Sequence, residues 1–163
     1  MAPTPSQTVG PFFGFGLPFE GGSDAVPAAA TGAIRIEGQV LDGSGEAVPD
    51  ALLEVWAGDD FARSRTDAEG AFQFVIRKPV ANLDAEGGMH APHLEVTVFA
   101  RGLLRHLVTR LYFPDEAAAN ENDPTLRLVD AERRGTLIAR PGRGALRFDV
   151  RLQGEGETVF FAL

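Results

Sequence analysis

Three side chains that can ligate a metal or move a proton stand close together at His90, His93 and Glu95. The last two open the stretch His93-Leu94-Glu95-Val96-Thr97-Val98-Phe99-Ala100-Arg101. Its apolar residues recur with period two, which predicts a β-strand. Leu94, Val96, Val98 and Ala100 share one face; His93, Glu95, Thr97, Phe99 and Arg101 share the other. His-x-Glu on a strand sets two potential ligands side by side. Together with His90 they make a two-histidine, one-carboxylate set of the kind that holds iron or zinc. No HExxH or comparable spacing accompanies them. A histidine hydrogen-bonded in a packed loop is the commoner fate of such residues.

The rest of the reactive inventory is small. His106 and Tyr112 complete the histidines and tyrosines, and the chain has no cysteine. Thiolate metal sites, cysteine nucleophiles and disulfides are therefore excluded. No Gly-x-Ser-x-Gly elbow is present. Asp42-Gly43-Ser44-Gly45 is a turn with no lysine behind it, so it is not a phosphate loop. The net charge of −8 argues against nucleic acid and anionic membrane as partners, because both require a basic footprint. Arg133, Arg134, Arg140, Arg143, Arg147 and Arg151 make the last third locally basic; solvated strand faces and surface ion pairs account for them. No window approaches the roughly 18 apolar residues of a membrane span. The N-terminal stretch lacks a charged and an apolar signal region, so the expected location is the cytoplasm.

The elements that must position these side chains are mostly strands. At 163 residues one domain is the default, with enough surface buried for a real core. Residues 1–33 read as an extended N-terminal arm and linker. Pro3, Pro5, Pro11 and Pro18 favour extended chain, and Phe12, Phe13, Phe15 and Phe19 are rings to bury, against this chain or another. Residues 20–33 read as a flexible linker. Residues 34–163 read as the main domain. Strands are expected at 34–41, 51–56, 72–76, 93–101, 105–113, 136–140, 145–152 and 157–162, with a turn at 66–70. Pro114 followed by acids and alanines predicts one short helix, and 126–135 offers another helical turn. About eight short strands with turns between them predict a mainly β, antiparallel β-sandwich. From these residues alone the chain is a β-sandwich with an apolar arm, and no reaction is named.

The motifs add more. Thr4-Pro5-Ser6-Gln7-Thr8-Val9-Gly10-Pro11-Phe12 resembles the N-terminal motif of the intradiol ring-cleaving dioxygenases. Leu53–Trp56, Thr66–Gly70, Ala91–Gly102, Thr109–Phe113 and Gln153–Phe161 continue the resemblance in order along most of the chain. It implies a non-haem ferric iron, Fe(III), held by two tyrosines and a His-x-His strand. Here that strand reads His93-Leu94-Glu95. Val80, Ala81, Asn82 and Leu83 follow Lys78-Pro79 where a ligand tyrosine is implied, and residues 57–65 contain no tyrosine. Tyr112 stands in a different motif, so two tyrosinate ligands are impossible by count. His93 and Glu95 are then vestigial ligand positions.

Such departures resemble the alpha subunit of the family's two-chain members. The resemblance implies a beta subunit that supplies all the iron ligands, αβ pairs within a larger hetero-oligomer, and the small aromatic dianion protocatechuate as substrate. No catalytic residue is then expected in this chain alone. Its substrate-binding residues, carried over from the motifs, are Arg101, Thr8, Gly10 and Pro11. An arginine suits a remote carboxylate, and Gly-Pro brings a firm backbone close. His93 is expected to be structural, with Glu95 and His90 as its partners, and Tyr112 to be packing. The chain is shorter than the family pattern at 20–33 and between Trp56 and Thr66. Two further readings stand beside this one: a β-sandwich binding or interaction module that has lost the iron site, and a zinc hydrolase built on His90, His93 and Glu95.

Overall fold

The computed structural model describes residues 4–83 and 87–162. In chain order the elements are α1 (Phe13–Gly16), β1 (Ala33–Leu41), β2 (Leu52–Ala57), β3 (Asp60–Arg65), β4 (Ala71–Arg77), β5 (Asn82–Leu83), β6 (Met89–His90), β7 (His93–Phe99) and β8 (Leu107–Tyr112). Helices α2 (Ala117–Asn122) and α3 (Pro124–Leu128) follow, then β9 (Arg140–Pro141), β10 (Leu146–Arg147) and β11 (Val150–Arg151). One sheet runs β3-β2-β7-β8, antiparallel throughout. The other is built on β1, with β4 antiparallel on one side and β10 and β11 parallel to it. The sandwich is therefore mixed rather than purely antiparallel. Among the described residues no helix is long and apolar enough to cross a membrane.

The alternation of β7 decides where the core lies. Leu94, Val96 and Val98 are buried and meet Val40, Leu53, Val55, Phe72, Phe74, Ile76, Phe148 and Val150 between the sheets. Turns join the strands by a repeated device. Asp42 accepts the backbone N–H of Ser44 and Glu46, and Asp67 accepts those of Glu69 and Ala71, each through one carboxylate oxygen.

Several elements differ from the sequence expectation. β3 was not anticipated. Its inward residues Ala62 and Ser64 are small or polar, so it lacks a hydrophobic alternation, yet it pairs with β2 along its whole length. The expected strand 145–152 is split into β10 and β11. Gly38 of β1 lies against Phe148, and Asp149 Oδ1, not a backbone carbonyl, accepts the Gln39 N–H at 3.1 Å. Residues 136–140 contribute a bridge of Ile138 with Tyr112 and the first residue of the short β9, and 157–162 a bridge of Phe161 with Val108, in place of full strands. The helix expected from Pro114 is a short 3-10 turn over Pro114–Glu116 followed by α2, which ends at Asp123 because Pro124 holds it extended (ψ 125°); the helical turn expected in 126–135 is met by α3 and a 3-10 turn over Arg134–Leu137.

The 20–33 segment is not a loose linker. Gly22 O accepts the Arg63 N–H of edge strand β3, and Ser23 O and Ala25 N bond Val75 of β4. The segment thus covers the outer strand of each sheet and ties one to the other. Of the four arm phenylalanines only Phe13 is buried within the chain. Phe12, Phe15 and Phe19 are exposed, with Arg65 over Phe15 and Arg63 over Phe19.

Gly38 offers a direct check on the split strand. A Cβ there would sit 1.8 Å from the Phe148 carbonyl oxygen. Gly38→Ala is expected to lower stability by about 3 kcal/mol, since only main-chain movement relieves the clash. Comparing urea midpoints of parent and variant measures it.

Candidate functional site

Helices α2 and α3 pack against β6, and beside Tyr112 of β8 a second apolar cluster forms from Ala91, Tyr112, Leu126, Val129 and Leu137. Into this layer β7 and β8 project a polar row. Register sets His93 opposite Tyr112 and Glu95 opposite Arg110. Cross-strand neighbours of this kind are within side-chain reach.

His93 Nδ1 lies 2.7 Å from the Ala91 carbonyl and Nε2 lies 3.2 Å from Glu95 Oε1. The Arg110 guanidinium reaches the same Glu95 oxygen at 2.9 Å. It also donates to Thr125 Oγ1 at 2.9 Å and lies 3.3 Å from His90 Nδ1. Below this, Asp123 is fully buried. Its carboxylate accepts from Tyr112 Oη (3.0 Å), from the Leu126 N–H (2.9 Å) and from the Ala91 N–H (2.9 Å), and faces His90 Nδ1 at 3.3 Å. The Leu126 bond makes Asp123 the N-cap of α3.

The electrostatics follow. Burial pushes the Glu95 carboxyl up, but the His93 hydrogen bond and the Arg110 charge outweigh it and hold the group below the usual carboxylate range. Burial likewise raises Asp123, and the Leu126, Ala91 and Tyr112 donors overcome it. Tyr112 moves the other way. Burial raises its phenol strongly, Arg110 offsets part of that, and the Asp123 carboxylate adds to it. Its proton stays on and is donated to Asp123.

This arrangement does not fit a ferric ion. Both nitrogens of His93 face oxygens of the chain, the Arg110 guanidinium already pairs with Glu95, and the hydroxyl of Tyr112 is engaged by Asp123. Among the described residues no three His, Asp or Glu side chains are grouped to hold a metal. The zinc hydrolase reading loses its geometry with that. His90 and His93 stand edge to face with ring centres 5.8 Å apart, and His90 turns to Asp123.

Arg101 lies elsewhere. It follows β7 on an exposed turn and forms an ion pair with Asp50; its side chain is 79% exposed. Thr8 and Pro11 are exposed too, and Gly10 has φ 79°, which suits glycine alone. The two regions are neighbours. A groove of about 610 Å³ is walled by Ser6, Gln7 and Val9 on one side and by Ala100, Leu103 and His106 on the other, with Arg105 Nε donating to Ser6 Oγ at 3.0 Å. The four expected substrate residues flank this groove in sequence without lining it. Phe99 and His106 stack at its edge, 5.6 Å apart.

Sequence reasoning missed Arg110, Asp123 and Thr125. Arg110 carried a signal: period two puts it on the Tyr112 face of a strand whose other face is core. Asp123 carried another, since Asp-Pro is a helix-start pair.

No family model matches the chain. It is 44% identical over 193 aligned positions to the protocatechuate 3,4-dioxygenase alpha chain of Burkholderia cepacia, covering 97% of this chain and 96% of that protein. The alpha chain of Pseudomonas putida is 41% identical over 191 positions, covering 97% and 95%. These alignments are longer than the 163 residues of the chain, so the relatives carry segments that it lacks. Among solved structures, the dioxygenase domain of a dioxygenase carbohydrate-binding protein fusion from Streptomyces sp. SirexAA-E superposes with a TM-score of 0.59 at 23% identity, covering 94% of this chain and 99% of that one. That likeness speaks to the fold.

Proposed function

The chain belongs to the family of protocatechuate 3,4-dioxygenase alpha chains, within the intradiol ring-cleaving dioxygenases, and from that premise we propose how its residues serve the reaction. It acts as the alpha subunit of an iron-dependent oxidoreductase that cleaves protocatechuate between its hydroxylated carbons with both atoms of O2, giving β-carboxy-cis,cis-muconate. The iron is held by a beta subunit of similar fold, with which this chain pairs in the cytoplasm and builds a larger hetero-oligomer. The chain alone is inactive. The observation that carries this division is the guanidinium of Arg110 against Glu95: the chain's own ligand positions are already engaged.

What remains for this chain is pocket wall and assembly. Arg101 offers a directed, charge-assisted bond to the substrate carboxylate. Thr8, Gly10 and Pro11 form a firm edge beside it, an arrangement supported by the groove that sets the arm next to the 100–107 turn. The exposed Phe12, Phe15 and Phe19 are rings for the partner to cover. A free-standing binding module is the less favoured reading, because the relatives match nearly end to end.

Co-expression with the neighbouring reading frame tests the proposal. The expected result is a complex with a chain that carries tyrosines and a His-x-His, with iron, visible absorption and protocatechuate turnover only in that complex. A stable colourless monomer that takes no partner would overturn it, as would turnover by the chain alone.

A further inference from the structure

The residues around Glu95 do more than fail to fit iron. His93 is oriented as metal-ligating histidines are: Nδ1 is anchored on a backbone carbonyl at 2.7 Å, which presents Nε2 to the site. The carboxylate beside Nε2 is in place. The cation is also in place, as an arginine side chain 2.9 Å from that carboxylate. This guanidinium joins β7 through Glu95, β8 through its own backbone and α3 through Thr125. A structural metal ion would cross-link three elements in the same way.

We propose that the pocket of His93, Glu95 and Arg110 is a cation site whose permanent occupant is the Arg110 guanidinium, which both cross-links the layer and keeps divalent metal out of this chain. Two consequences follow. The guanidinium's charge opposes a metal, and its residue also occupies the position from which a third ligand would come. And a ligand placed at position 110, opposite Glu95 in register, completes a two-histidine, one-carboxylate set. The inference concerns only side chains of this chain and holds whatever partner or substrate the chain serves.

The test uses the full chain in the form in which it is isolated, with Co²⁺ as the probe and any resident iron counted separately. Parent protein is expected to take up no Co²⁺ at this site. Arg110→His is expected to bind one Co²⁺ per chain, roughly 100-fold tighter than any residual affinity of the parent, with visible ligand-field bands and a raised unfolding temperature. Adding His93→Ala removes the bands. Arg110→Lys retains a cation and excludes the metal as the parent does. Arg110→Met keeps the bulk and removes the charge; far-UV circular dichroism shows it folded, and its unfolding temperature lies below that of Arg110→Lys. Three results overturn the proposal: Co²⁺ bands in the parent that vanish with His93→Ala, a folded Arg110→His chain without bands, or bands that survive loss of His93.

Discussion

Asp123→Ala is expected to lower folding stability by about 4 kcal/mol, the largest effect of any single truncation considered for this chain. The carboxylate is wholly buried and serves the Tyr112 O–H, the Leu126 N–H and the Ala91 N–H. Alanine strands all three donors away from water. It also removes the N-cap of α3, worth about 1 kcal/mol by itself. Asp123→Asn is expected to cost roughly half as much. Its amide oxygen can serve one side, but its NH₂ then confronts another donor. Urea unfolding of the same assembly, parent against variant, reads both differences.

The same residue gives the protein an acid limb. The folded Asp123 carboxyl titrates below its unfolded counterpart, near 3.9, so its stabilisation is fully present above that value. It is lost as pH falls through the folded value. Glu95, also held low, contributes in the same direction and window. Stability of the parent should therefore fall as pH drops below about 4, and the Asp123→Asn variant should show a shallower slope there. An equal slope in the two proteins would remove Asp123 from the account.

Arg101→Ala is expected to lower kcat/KM for protocatechuate by roughly 30- to 100-fold in the assembled enzyme, about 2 to 3 kcal/mol for one charge-assisted bond to substrate. Iron content is expected to stay unchanged. Stability should move by less than about 1 kcal/mol, because the pair with Asp50 is solvent-exposed on the arginine side. Asp50→Ala separates the two roles. It breaks the ion pair and leaves the guanidinium, so kcat/KM should remain within about 3-fold of the parent. Loss of iron with Arg101→Ala, or an equal loss of rate with Asp50→Ala, would place Arg101 in assembly instead of in the pocket.

Much of this protein can be read from its chain order. The β7 stretch has period two, and its buried face is the one its leucine and valines mark. The turns at Asp42 and Asp67 are local, formed by a carboxylate and backbone a few residues on. One tyrosine can be counted from the chain alone, too few for the two tyrosinate ligands that the family resemblance implies. The pairing of His93 with Glu95 was also legible, since two residues on one strand face share a side by geometry alone. The motifs placed the chain in its family before any contact was known.

Other features depended on contacts between distant residues. Nothing near Glu95 in the sequence names Arg110 as its counter-ion; only the β7–β8 register does. Asp123 meets Ala91 and Tyr112 because α3 folds back over the sheet, and β3 exists because β2 supplies its ladder despite a weak hydrophobic pattern. The 22–25 segment is ordered by two strand edges it does not resemble. Side-chain alternation is a property of one strand and survives in the sequence. Register, edge cover and the choice of a buried cation are properties of strand pairs and layers, and are decided only when the chain closes on itself.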